Sequence, residues 1–101
     1  MNNFTIIGID DKDHPELPEQ ARAAIATHHV FSGGKRHHEI MRDNLPEAHL
    51  WIDITVPLDE VFRQYENHPD IVVFASGDPL FFGFANTVLK RLPDAKITLI
   101  P

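Results

Sequence analysis

Residues Val72–Gly83 read VVFASGDPLFFG. With Ile71 in front, the stretch opens as an apolar run with no polar interruption, the pattern of a strand covered on both faces. Ser76-Gly77-Asp78-Pro79 ends the run. From Gly83 to Leu92 a helical pattern follows, with Phe84, Val88, Leu89 and Leu92 on one stripe. A buried strand, a tight turn and a helix together form the repeating unit of a parallel sheet.

The same unit recurs on the amino-terminal side. Phe4 to Ile9 is apolar and β-branched and closes at Gly8 and Asp10-Asp11, so it predicts a first strand buried on both faces. HPELPEQARAAIATHH follows, with Leu17, Ala21, Ala24-Ile25 and His28 at helical spacing and Pro18 suited to a first turn. Val30-Phe31 predicts a short second strand stopped by Ser32-Gly33-Gly34. KRHHEIMRDNL predicts a polar second helix ended by Pro46. Leu50 to Val56 alternates, with Leu50, Ile52, Ile54 and Val56 on a core face against Trp51, Asp53 and Thr55, as expected of a strand near a sheet edge. Leu58, Val61, Phe62 and Tyr65 form the stripe of a third helix, and Pro69 bars its continuation. Beyond Pro93-Asp94, Lys96 to Ile100 predicts a fifth strand.

Strands and helices thus alternate strictly, with short loops. The expected fold is α/β, a three-layer αβα domain around a five-stranded, mainly parallel sheet with right-handed crossovers, in which Ile71–Ala75 is central. Ligands of such sheets bind beyond the carboxyl ends of the strands. The loops expected there are Asp10–His14, Ser32–Lys35, Val56–Leu58 and Ser76–Gly83, so the opening turn lies on the ligand face.

The totals bound the function. A chain of 101 residues, 43% hydrophobic and 24% charged, is one soluble domain. A net charge of −6 argues against nucleic acid, which calls for a basic face. No apolar run approaches the roughly 20 residues of a membrane span, and MNNFTIIGID has neither a basic region nor a cleavage site. The absence of cysteine excludes disulfides and thiolate metal sites and fits a reducing compartment. The expectation is a cytoplasmic protein with no membrane or nucleic-acid partner.

In Ser76–Gly83, Gly77 permits a positive φ or close backbone approach. Pro79 fits a helix start. Asp78 could cap that helix, or the free N–H groups there could hold a ligand carboxylate. Phe81 and Phe82 offer an apolar wall. A capped turn without a ligand accounts for the residues equally well. Lys35, Arg36 and His37 follow the second strand at the ligand face. Cations at a helix start oppose its dipole, and Arg grips carboxylates bidentately; a solvated helix end that merely carries basic residues accounts for them equally well. The seven histidines include the adjacent pairs His28-His29 and His37-His38, and neighbours on a helix do not face one point, so surface histidines are expected and no metal site. IDDKDHPE is acidic but lacks the calcium-loop pattern. Trp51 and Tyr65 are expected in or beside the core.

FASGDPLFFG resembles the signature loop of the tetrapyrrole (corrin/porphyrin) methylase family, in which a strand ends in Gly-Asp-Pro followed by an aromatic residue and a second glycine. HHVFSGGKRHHE resembles the matching stretch of the cobalamin-pathway branch, which methylates precorrin-6Y (equivalently precorrin-7). ITLIP is similar to the strand leading to that family's inter-domain segment. The family's first loop, Gly-x-Gly-Pro-Gly-Asp, is matched here only at Gly8 and Asp13. The resemblance implies the N-terminal domain of a two-domain, S-adenosylmethionine-dependent C-methylase of a precorrin, homodimeric when complete and inactive as this domain alone. It implies that Ser76, Gly77, Asp78, Pro79, Leu80 and Gly83 hold the methyl donor. Asp13, Lys35, Arg36 and His37 would face the tetrapyrrole. No catalytic residue is assigned. The rival is a non-catalytic α/β ligand-binding or assembly module; neither a Walker pattern nor G-x-G-x-x-G is present to make it a nucleotide binder.

Overall fold

The computed structural model describes residues 2–9, 16–76 and 78–100, with side chains in the last helix from Gly83 onward. Strand β1 (Asn3–Ile9) leads through α1 (Glu19–Thr27) to β2 (Val30–Gly33). Helix α2 (Lys35–Met41) and a 3-10 turn (Arg42–Asn44) lead to β3 (Leu50–Asp53). Helix α3 (Asp59–Tyr65) leads to β4 (Asp70–Ser76), and α4 (Asp78–Arg91) to β5 (Lys96–Ile100). The sheet order is β3-β2-β4-β1-β5, and every neighbouring pair is parallel. The α/β expectation holds, and the sheet is parallel throughout rather than mainly so.

Strands β1 and β4 lie side by side near the centre, in register from Asn3 opposite Asp70 to Ile9 opposite Ser76. Their alternate side chains feed two separate cores. Phe4, Ile6, Ile71, Val73 and Ala75 pack with Val61, Phe62 and Tyr65 of α3 and with Ala85 and Val88 of α4. Ile7, Ile9, Val72 and Phe74 pack with Ala21 and Ile25 of α1 and with Ile40 and Met41 of α2. Helices α1 and α2 therefore cover one face of the sheet and α3 and α4 the other. The cause is directional: the chain moves one way along the sheet from β1 to β3, then returns across it to β4 and β5. With crossovers of one hand, a reversal of direction changes the face on which the helix lies.

Several element bounds differ from the sequence reading. Helix α1 starts at Glu19, after Pro18, and Leu17 packs on its core layer from outside the helix. Strand β2 runs on to Gly33 because Ser32 finds buried partners and Gly33 still has Asp53 to pair with. The predicted second helix divides into α2 and the 3-10 turn. Strand β3 ends early: its one neighbour β2 stops at Gly33, whose carbonyl takes a last bond from Ile54 N–H at 2.9 Å. Val56, expected on the core face, is therefore 88% exposed, and Leu50 at the other end of β3 is also exposed. Helix α4 begins at Asp78, five residues before the predicted start at Gly83. Its buried stripe is Ala85 and Val88, supported by Phe84 and Leu92, while Leu89 faces outward.

Candidate ligand site at the carboxyl ends of β2 and β4

Adjacent strands β2 and β4 send the chain to opposite faces of the sheet, β2 into α2 and β4 into α4. Loops that part in this way leave a crevice at the strand ends. A cavity of about 240 Å³ lies there, lined by Gly34, His37, Ile54, Phe74, Ala75, Ser76 and Phe84. Its wall is almost wholly apolar, with the Ser76 hydroxyl and the His37 imidazole as the polar side-chain groups.

The shape of the site depends on Gly33. A Cβ at this position would lie 3.1 Å from His37 Cβ and 3.2 Å from the Trp51 ring, so no larger residue fits without moving one of them. Gly34 N–H donates to His37 Nδ1 at 3.3 Å. A nitrogen that accepts carries no proton, so the neutral ring bears its hydrogen on Nε2. Behind the cavity wall the aromatic rings are stacked. His38 lies on Trp51 at 4.2 Å with planes 8° apart, and Trp51 lies parallel to Phe74 at 6.1 Å. The indole is tied by Nε1–H to Asp53 Oδ1 at 2.9 Å. Trp51 and Tyr65 thus pack as expected, Trp51 through stacking on the face that alternation had assigned to solvent.

The residues assigned to the methyl donor divide. Ser76 ends β4 and lines the cavity. Asp78, Pro79 and Leu80 form the first turn of α4. Asp78 is therefore a helical residue and not the cap that precedes the helix. Gly77 and Asp13 lie outside the described residues. Gly83 is exposed, and a Cβ there would meet nothing within 4 Å, so it opens to space beside the cavity, whose wall is taken by Phe84. Among the basic residues, His37 is brought into the cavity. Lys35 and Arg36 are exposed in the first turn of α2, with Arg36 3.7 Å from Glu39.

Ile54, Phe74, Ala75 and Phe84 were not read as site residues. Phe74 and Ala75 belong to a strand whose apolar run carries no mark of a cavity. Phe84 follows the signature glycine directly, and that adjacency was the available signal. A larger groove of about 450 Å³ lies between α1 and the 3-10 turn, lined by Leu17, Arg22, Ile25, Ala26, Asn44, Leu45 and Pro46. None of these residues lines the crevice. Among the described residues no three His, Asp or Glu side chains converge as a metal site, and no helix is long and apolar enough to cross a membrane.

Comparison with known proteins falls on this arrangement. The chain is 35% identical over 101 residues to a precorrin-6Y C(5,15)-methyltransferase (decarboxylating) of a Sinorhizobium species, an alignment covering 97% of this chain and 24% of that protein. The chain is homologous to the precorrin-6Y methyltransferases. It is 28% identical over 96 residues to the proteins of the same name from two Mycobacterium tuberculosis strains, covering 95% of this chain and 24% of theirs. The chain thus spans about a quarter of the length of the curated methyltransferases it matches. No family model matches the chain, and no solved structure matches it. The methyltransferase relatives bear out the resemblance carried by FASGDPLFFG and HHVFSGGKRHHE.

Proposed function

We propose that this chain is the N-terminal domain of an S-adenosylmethionine-dependent precorrin C-methyltransferase, acting in the cytoplasm as a homodimer together with a second domain. The observation that carries the proposal is the cavity at the end of β4. It lies where the Gly-Asp-Pro signature begins, in a chain homologous to methyltransferases. Its apolar lining suits a purine ring or a sulfonium methyl, both of which gain from exclusion of water. Its volume accommodates one part of the donor, so other surfaces must complete the site.

S-adenosylmethionine would supply a methyl group on sulfur together with its own leaving group. The chain's residues then have to bind, align and dry the reacting centre. Phe74, Ala75, Ile54 and Phe84 exclude water. Ser76 and the backbone of Asp78, Pro79, Leu80 and Gly83, with Gly77, orient the donor. Asp13, Lys35, Arg36 and His37 face the tetrapyrrole, where basic groups meet its carboxylates.

The test is an amide NMR titration of the chain with S-adenosylhomocysteine. Shifts centred on Ser76, Gly83 and Phe84 are expected. Absence of shifts at millimolar ligand, both here and in a chain extended past Pro101, rejects the donor site. No methyl transfer is expected from the 101-residue chain alone, and turnover by it would contradict the two-domain reading.

A further inference from the structure

Among the described residues Val56 is the most exposed large apolar side chain, at 88%, against 46% for Leu50, 44% for Leu89 and 38% for Leu99. Single apolar residues at a surface are ordinary. Val56 is different because of its surroundings. It follows β3 at the carboxyl end of the sheet, and the exposed Pro57 comes next. Two residues earlier Ile54 forms cavity wall together with Phe84. The bond from Ile54 N–H to the Gly33 carbonyl ties this apolar rim to the start of α2, where Lys35 and Arg36 are exposed. The rim is thus apolar in its middle and cationic at one side, in a chain whose net charge is −6. Neither β3 nor α3 uses Val56 for packing.

An apolar face beside cations complements a flat apolar ring that carries carboxylates at its edge. We infer that Val56, with Pro57, bears the face of a polycarboxylated macrocycle, and that Val56 sets affinity for that ring while Lys35 and Arg36 meet its acid groups. This rests on the methyltransferase reading above and adds to it a specificity residue outside both signature stretches. Being so exposed, Val56 can be replaced without disturbing the core.

The experiment compares the unaltered chain with Val56→Ser and Val56→Asp. Each is titrated separately with metal-free uroporphyrin, an octacarboxylate macrocycle, and with S-adenosylhomocysteine, and amide shifts are followed by NMR. Uroporphyrin is expected to move Ile54, Val56 and Lys35 in the unaltered chain. Its Kd should rise about fivefold in Val56→Ser and more than tenfold in Val56→Asp, where a carboxylate meets carboxylates. S-adenosylhomocysteine should still move Ser76 and Gly83 equally in all three. Unchanged uroporphyrin affinity in both variants overturns the inference. So does an unaltered chain that responds to S-adenosylhomocysteine and ignores uroporphyrin, an outcome that leaves the donor site standing. Loss of self-association in the variants, by sedimentation, with no change in uroporphyrin binding would assign the rim to a second copy instead. If neither ligand moves any amide, in this chain or in one extended past Pro101, the methyltransferase reading fails and the inference falls with it.

Discussion

The Tyr65 hydroxyl donates to Ser32 Oγ across 2.7 Å, joining α3 to β2 inside the core. The direction follows from the other bond of Ser32, whose single proton goes to the Ile52 carbonyl, also at 2.7 Å. One chain of hydrogen bonds therefore runs from α3 through β2 to the edge strand. Tyr65→Phe removes one link and orphans no donor, so it should cost about 1 kcal/mol. Ser32→Ala leaves the Tyr65 proton without an acceptor and should cost more, about 1–3 kcal/mol. Urea midpoints for the two variants should fall in that order.

Burial pushes the Tyr65 phenol above its ordinary range, because the charged phenolate would lose its water. The consequence for stability has a definite sign. Below pH about 10 the phenol is protonated in both folded and unfolded chains and pH has no leverage through it. Above that, the unfolded chain releases the proton and the folded chain keeps it, so stability falls as pH rises. Since Tyr65 is the one tyrosine, phenolate absorbance should develop with unfolding rather than before it. Tyr65→Phe should lack this alkaline decline.

Two glycines should respond in opposite ways. Gly33→Ala forces a Cβ against His37 and the Trp51 ring and should cost about 1–3 kcal/mol. Gly83→Ala places its methyl in open space on a helix and should add about 1 kcal/mol, the propensity gain of alanine over glycine. If Gly83 admits the methyl donor closely, the same variant should bind S-adenosylhomocysteine more weakly. Thermal melts and the NMR titration read the two effects separately.

Arg91 reaches Asp59 at 2.7 Å and lies 5.1 Å from the centre of the Phe62 ring, joining α4 to α3. Both charged groups are well exposed, and water screens such pairs. Arg91→Ala should therefore cost no more than about 1 kcal/mol. Salt should change the difference between the two proteins only slightly.

The sheet was legible because each strand announces its environment. Ile71–Ala75 has no polar residue, and the strand it predicts is indeed enclosed by helices on both faces. Leu50–Val56 alternates, and that strand is indeed an edge. Its length was misjudged because alternation cannot register that β2 ends at Gly33 and leaves Val56 unpartnered. The start of α4 was misplaced because Gly77 and Pro79 read as a loop, although proline fits a first helical turn without loss. In the site, Ser76 and His37 were visible as chemistry next to turns. Phe74 and Ala75 were not, since a residue that walls a cavity and one that fills a core have the same composition. Phe84 was assigned to the core stripe, where it also packs.

The pairing of Asn3 with Asp70 has a bearing on how the chain is made. Strand β1 is made before either of its neighbours, β4 and β5, with three helices and two strands synthesised in between. The β2–β3 pair can form earlier, from residues twenty apart such as Val30 and Leu50, while FTIIGI waits exposed with no strand on either side. Parallel sheets join late in any case, because loops must close before contacts reward them. Here the most apolar early segment is also the one kept waiting longest, so nascent chains cut short before Asp70 should be the form that chaperones retain and that aggregates when they are scarce.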